Sequence, residues 1–190
     1  MEQLVTSEFR LGIIAGGQLG KMLALAASQW DVKTYVLDSN AHCPASTACT
    51  QFVEGNYTEY NSVYEFGKKV DMLTFEIENV NIDALRSLKK EGKPIYPDPE
   101  ILATIQDKGL QKQFFQKHMI PSPAFTLCQS RQQVLDQIEK GLLEYPFVQK
   151  ARTAGYDGKG VAVVRSENDH CRLLDVPCVI EQAIDIEKEL

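Results

Sequence analysis

Residues 11–40 read "LGIIAGGQLGKMLALAASQWDVKTYVLDSN", and the reading of this stretch decides the fold. A short apolar run over residues 10–15 meets a pair of glycines. Residues 18–29 then carry Leu19, Met22, Leu23 and Ala26 at helical spacing, and residues 34–37 form a second apolar run. The order strand, tight turn, helix, strand is the unit from which parallel sheets are built. The turn approaches the dinucleotide fingerprint G-x-G-x-x-G, but positions 15–20 are A-G-G-Q-L-G, so Ala15 occupies the place of the first glycine. Such a turn lets backbone N–H groups at a helix N-terminus approach an anion, which the helix dipole favours. Three readings stand open here: a dinucleotide whose ribose Asp38 would hold, another phosphate-bearing ligand, or a tight turn with no ligand.

Outward from this stretch the alternation continues. Strands are expected at 51–53, 72–75 and 95–96, and helices at 61–69 and 82–90, the last closed by Gly92. At "YPDPE" the texture changes. Residues 100–118 read as one or two helices broken near Gly109, followed by strands at 125–126, 147–150, 161–165 and 178–181 and helices at 130–140 and 168–174. The expected architecture is α/β: a Rossmann-like parallel-sheet domain over 1–98, then an α+β domain over 99–190. The closing "VPCVIEQAIDIEKEL" stops just after a strand, so the second domain reads as incomplete.

The totals exclude several classes. A net charge of −6 argues against a general nucleic-acid surface. No apolar run approaches the roughly 18–20 residues of a membrane span, and "MEQLVTSEFR" lacks a signal pattern, so a cytoplasmic protein is expected. Five cysteines and three isolated histidines show no zinc spacing; His42, Cys43 and Cys49 come closest, and reduced thiols are the simpler reading.

Four further segments carry chemistry. In "FEIENV", residues 75–80, Glu76, Glu78 and Asn79 directly follow a strand, where parallel sheets place ligands; a loop capping the next helix is the alternative. In "VQKARTAGYDGKGVAVV", residues 148–164, Lys150, Arg152 and Lys159, with Arg165 just beyond, oppose the single acid Asp157. Gly155, Gly158 and Gly160 there allow close backbone approach to phosphate oxygens. The segment is not a Walker A loop. In "QDKGLQKQFF", Lys108 and Lys112 share one helical face, and taken alone they read as solvated. In "VIEQAIDIEKEL", Glu181 and Gln182 follow a strand, with Glu189 eight positions beyond Glu181.

Taken together, "GGQLGKM", "FEIENV", "DKGLQKQF", "IPSP", "RTAGYDGKG" and "VIEQ…EKEL" resemble the ATP-grasp superfamily, and within it the N5-carboxyaminoimidazole ribonucleotide synthetases, in the family's order and over nearly the whole chain. The resemblance implies a pre-ATP-grasp domain followed by an incomplete ATP-grasp domain. It implies ATP-dependent carboxylation of 5-aminoimidazole ribonucleotide with bicarbonate, with Mg2+ held by residues beyond those present, and a homodimer at full length. By position it implies that Lys108, Lys150, Gly155, Gly158 and Gly160 hold ATP phosphates, Glu181 and Gln182 the adenine end, and Glu189 the ribose. Tyr156, Asp157 and Lys159 would stand near the reacting groups, while Gly17, Gln18, Leu19, Glu76 and Asn79 bind the aminoimidazole ribonucleotide; Lys112 and Arg152 are less defined. Asp38 then has no ligand role. Lys21 and Ala154 replace the family's more usual arginine and glycine, and the family's chain is nearly twice as long, so these residues alone are expected to be inactive. A formate-using glycinamide ribonucleotide relative, a non-catalytic nucleotide-binding module and a nicotinamide-dependent reductase are the competing expectations.

Overall fold

A computed structural model describes residues 6–153, 155, 160–185, 187 and 188. The chain forms two compact units, Met1–Ala103 and Thr104–Leu190.

The first unit is built on four parallel strands: β1 (Arg10–Ile14), β2 (Lys33–Asp38), β3 (Gln51–Glu54) and β4 (Met72–Phe75), in the order β3-β2-β1-β4. Ile13 and Ile14 are both fully buried because both faces of the sheet are covered, which is why β1 reads as a continuous apolar run. On one face Ile14, Leu37 and Leu73 pack with helices α2 (Tyr60–Lys68) and α3 (Ile82–Lys90) through Phe66, Leu85 and Leu88. The other face packs Ile13 and Val36 against Ala24 of helix α1 (Gln18–Ser28) and against Ala45 of a 3-10 turn at Pro44–Thr47. Asn81 caps α3 by accepting the Ala84 N–H at 2.9 Å. Strand order reverses at β1, whose neighbours are β2 and β4, so the β1–β4 edge is a topological switch point.

Two expectations fail in this unit. The helix α1 does not bury Leu19, Met22 and Leu23, which are 57%, 56% and 40% exposed; its buried residues are Gly20 and Ala24. The expected strand at 95–96 is a single parallel bridge, Leu73 to Ile95.

Helices α4 (Pro99–Gln106) and α5 (Lys108–Lys117) follow, broken at Asp107 rather than at Gly109. The second unit holds an antiparallel sheet of β5 (Phe125–Cys128), β6 (Phe147–Ala151), β7 (Val161–Val164) and β8 (Cys178–Gln182), in the order β5-β8-β6-β7. Alternation gives it two faces. Phe147, Val164, Cys178 and Ile180 bury against Val134 of α6 (Arg131–Glu139), a helix capped by Ser130. Val148, Lys150, Val179 and Glu181 fall on the other face. The predicted helix at 168–174 is a 3-10 turn, Glu167–Arg172. The fully buried Gln149 fixes the segment after it, donating to the Leu174 carbonyl at 2.9 Å and accepting its N–H at 2.8 Å.

No helix among the described residues is long and apolar enough to cross a membrane.

Candidate functional site

In the first unit the site is built at the C-terminal ends of β1 and β4. Ala15 turns the chain with φ +73°, a left-handed conformation that costs a non-glycine residue about 1 kcal/mol. Asp38 then takes hold of the turn. Its carboxylate accepts the Gly16 N–H at 2.7 Å and the Asn40 N–H at 2.8 Å, and the residue is 8% exposed. Asp38 is therefore a buried clamp on the glycine turn.

The remaining glycines have close neighbours of two kinds. A Cβ on Gly20 would stand 2.6 Å from the Ala15 carbonyl oxygen, so this glycine serves the approach of helix to strand. A Cβ on Gly17 would stand 2.6 Å from Oε1 of Glu76. The strand β4 ends at Phe75, the Glu76 N–H donates to the Ile14 carbonyl at 3.0 Å, and the carboxylate is thereby carried over the glycine turn. Because the strand ends at Phe75, strand alternation does not place Glu76 and Glu78 on one face. Gln18 and Leu19 form the exposed first turn of α1, whose N-cap Gly17 makes no side-chain cap bond, and Asn79 is exposed beyond β4.

In the second unit the basic residues converge. Glu181 is 7% exposed, and each of its oxygens meets one lysine: Lys112 at 2.9 Å from Oε1 and Lys150 at 2.8 Å from Oε2. Burial alone would raise the Glu181 carboxyl, but the hydrogen bonds from Lys150 and Lys112 outweigh it and hold the group below the usual carboxylate range. Lys112 is 8% exposed and also donates to Ser122 Oγ, so it is not the solvated lysine that its spacing suggested.

A second pair anchors the start of the glycine-rich loop. Arg152 binds Asp107 in bidentate fashion, Nε to Oδ1 at 2.9 Å and a terminal nitrogen to Oδ2 at 2.6 Å. Asp107 simultaneously caps α5 through the N–H groups of Gly109 and Leu110. Burial would raise the Asp107 carboxyl, yet Arg152 and the two N–H groups leave it lowered. With its guanidinium engaged by Asp107, Arg152 acts as an anchor of the loop.

Lys108 opens α5, its N–H donating to the Arg152 carbonyl at 2.9 Å and its ammonium to the Gly155 carbonyl at 3.0 Å. Gly160, with φ +73°, returns its carbonyl to the Ala151 N–H. Gln182 is exposed at the end of β8, beside a cleft of about 320 Å3 bordered by Phe125, Thr126, Tyr145 and Pro146.

Of the expected nucleotide residues, the structure thus joins Lys108 to Gly155 and Lys150 to Glu181. Tyr156, Asp157, Gly158, Lys159 and Glu189 lie outside the described residues. Three groups were not legible as partners: Lys112 with Glu181, Ser122 with Lys112, and Asp107 with Arg152. Asp107 alone carried a local signal, an acid directly before a helical run. Among the described residues, no group of three or more His, Cys, Asp or Glu is arranged to hold a metal ion. Cys43 and Cys49 are free thiols, pushed up by burial.

Residues 9–106 match the ribonucleotide synthetase preATP-grasp domain family, and residues 113–190 match the ATP-grasp domain family. The chain is 35% identical over 187 residues to the N5-carboxyaminoimidazole ribonucleotide synthase of Staphylococcus epidermidis, covering 95% of this chain and 48% of that protein. It is 37% identical over 188 residues to the phosphoribosylaminoimidazole carboxylase of Candida glabrata, with 95% and 33% covered. Among solved structures, N5-carboxyaminoimidazole ribonucleotide synthetase from Thermotoga maritima gives a TM-score of 0.82 at 31% identity, over 94% of this chain and 47% of that one. The N5-carboxyaminoimidazole synthase of Aspergillus clavatus, solved with ADP and 5-aminoimidazole ribonucleotide, gives 0.80 at 28% identity, over 95% and 48%. The chain spans about half the length, or less, of the curated relatives it matches.

Proposed function

The chain belongs to the ribonucleotide synthetase preATP-grasp family, and from that premise we propose that it serves an ATP-dependent carbon–nitrogen ligase. The reaction is carboxylation of 5-aminoimidazole ribonucleotide with bicarbonate, giving N5-carboxyaminoimidazole ribonucleotide, ADP and phosphate in purine synthesis. The observation that carries this reading is the charge balance around Glu181 and Gly155. Lys112 and Lys150 bring two ammonium groups to one carboxylate and Lys108 brings a third to the Gly155 carbonyl, while Arg152 and Asp107 cancel each other. In a chain of net charge −6, such a local excess of positive charge suits a polyphosphate.

Residues 99–190 are assigned to ATP. Lys108, Lys150, Gly155, Gly158 and Gly160 take the phosphates, Glu181 and Gln182 the adenine end, Glu189 the ribose, and Tyr156, Asp157 and Lys159 the reacting groups. Residues 1–98 are assigned to the acceptor ribonucleotide, through Gly17, Gln18, Leu19, Glu76 and Asn79 at the switch point of the sheet. The chemical tasks of these residues are to orient two substrates and offset negative charge as phosphate is transferred to bicarbonate. They also keep water from the activated carboxyl group. Magnesium neutralises phosphate charge when bound, and its ligands are assigned to the remainder of the relatives' length. A homodimer in the cytoplasm completes the proposal.

The test uses a full-length protein carrying these 190 residues. ATP hydrolysis should require both 5-aminoimidazole ribonucleotide and bicarbonate. Formate-dependent turnover with glycinamide ribonucleotide would instead assign the chain to that branch of ATP-grasp enzymes.

A further inference from the structure

The two lysines on Glu181 are not equivalent. The Lys112 side chain is 9% exposed, projects from α5, and is also bonded to Ser122. The Lys150 side chain is 33% exposed and lies on β6, two residues before the arginine whose carbonyl holds the first residue of α5. One ammonium is thus fixed by a second anchor within the protein, and the other has a solvent-facing side open to a ligand. The carboxylate between them is 8% exposed, and a carboxylate so buried needs at least one counter-ion at all times.

We propose that Lys112 is a positioning residue for nucleotide phosphate binding: it remains the counter-ion of Glu181 while Lys150 exchanges its bond to Glu181 for a phosphate oxygen. This rests on the reading of Lys150 as a phosphate ligand. With Lys112 in place, departure of Lys150 leaves a neutral buried pair behind. Without it, Glu181 holds Lys150 as its sole partner, and a phosphate must compete with a nearly buried carboxylate for that ammonium. Lys112 itself touches no nucleotide in this scheme. Its effect depends on phosphate and not on the base.

Calorimetric titration of the full-length protein with ATP and with adenosine tests this. Lys112→Met should weaken ATP about tenfold or more and leave adenosine within about twofold, since only the phosphate-dependent step is impeded. Adding Glu181→Gln to Lys112→Met should return the ratio of ATP to adenosine affinity toward the wild-type value, because Lys150 is then released while any loss at the adenine end falls on both ligands. Equal losses for ATP and adenosine, or no loss for ATP, would overturn the proposal and leave the nucleotide reading standing. A folded wild-type protein that binds neither ligand would overturn both. If circular dichroism shows that Lys112→Met does not fold, Lys112→Gln, which keeps a donor toward Ser122, carries the same comparison.

Discussion

The Glu76 carboxylate lies across Gly17 so closely that a Cβ on Gly17 would stand 2.6 Å from Oε1. Gly17 itself has φ −66°, a conformation open to any residue, so alanine there meets only the far end of a flexible side chain. The expected outcome of Gly17→Ala is a displaced carboxylate and little loss of stability, within about 1 kcal/mol by thermal unfolding. If Glu76 serves the acceptor ribonucleotide as proposed, the same variant should weaken 5-aminoimidazole ribonucleotide about tenfold in a titration. Unchanged affinity would remove Glu76 from the acceptor site.

Gly20→Ala should behave in the opposite way. Its Cβ would meet the Ala15 carbonyl oxygen at 2.6 Å, and a backbone atom at the foot of a strand cannot swing aside. The helix must lift from the sheet, at about 1–3 kcal/mol of overpacking, read as a lower urea midpoint.

The same close approach explains where the sequence misled. The segment "QLGKMLALAAS" is apolar on nearly every side, so spacing alone cannot choose its buried face. The turn chooses it: Gly20 must face Ala15, which rotates Ala24 onto Ile13 and Val36 and turns Leu19 and Met22 outward. The strands were legible because each carries a short apolar run between breakers. The glycine-rich, lysine-bearing segment was legible for its composition. The partnership of Lys112 with Glu181 was not, because it joins residues 69 positions apart and depends on α5 lying against the polar face of β8.

Asp38 gives a third test, since its two oxygens serve two different N–H groups. Asp38→Ala orphans the buried Gly16 N–H and should cost about 1–3 kcal/mol in chemical denaturation. Asp38→Asn retains one acceptor oxygen and should lose less. Equal losses would mean that the charge of Asp38, and not its acceptor geometry, holds the turn.

Asp107 performs two tasks at once, capping α5 and pairing with Arg152. Asp107→Ala removes both and should destabilise the protein by about 2 kcal/mol or more, whereas Asp107→Asn keeps the cap and should cost about 1 kcal/mol. Urea unfolding followed by far-ultraviolet dichroism separates the two. An Asp107→Asn variant as damaged as Asp107→Ala would assign the whole effect to the ion pair.

Glu181 should leave a signature in acid. Although burial pushes its carboxyl up, the hydrogen bonds from Lys150 and Lys112 prevail, and the folded value lies below the ordinary 4.5. A depressed carboxyl binds fewer protons folded than unfolded. Its contribution is therefore complete above about 4.5 and is lost as pH falls through the lower folded value. Asp107, held below its ordinary 3.8, adds to the same loss at slightly lower pH. Urea midpoints should accordingly stay level between neutral pH and about pH 5 and then decline. Glu181→Gln should start from a lower midpoint at pH 7, because the buried Lys112 and the partly exposed Lys150 lose their carboxylate, and should decline less steeply in acid. A variant that starts lower yet shows the full wild-type decline would assign the acid sensitivity to other carboxylates.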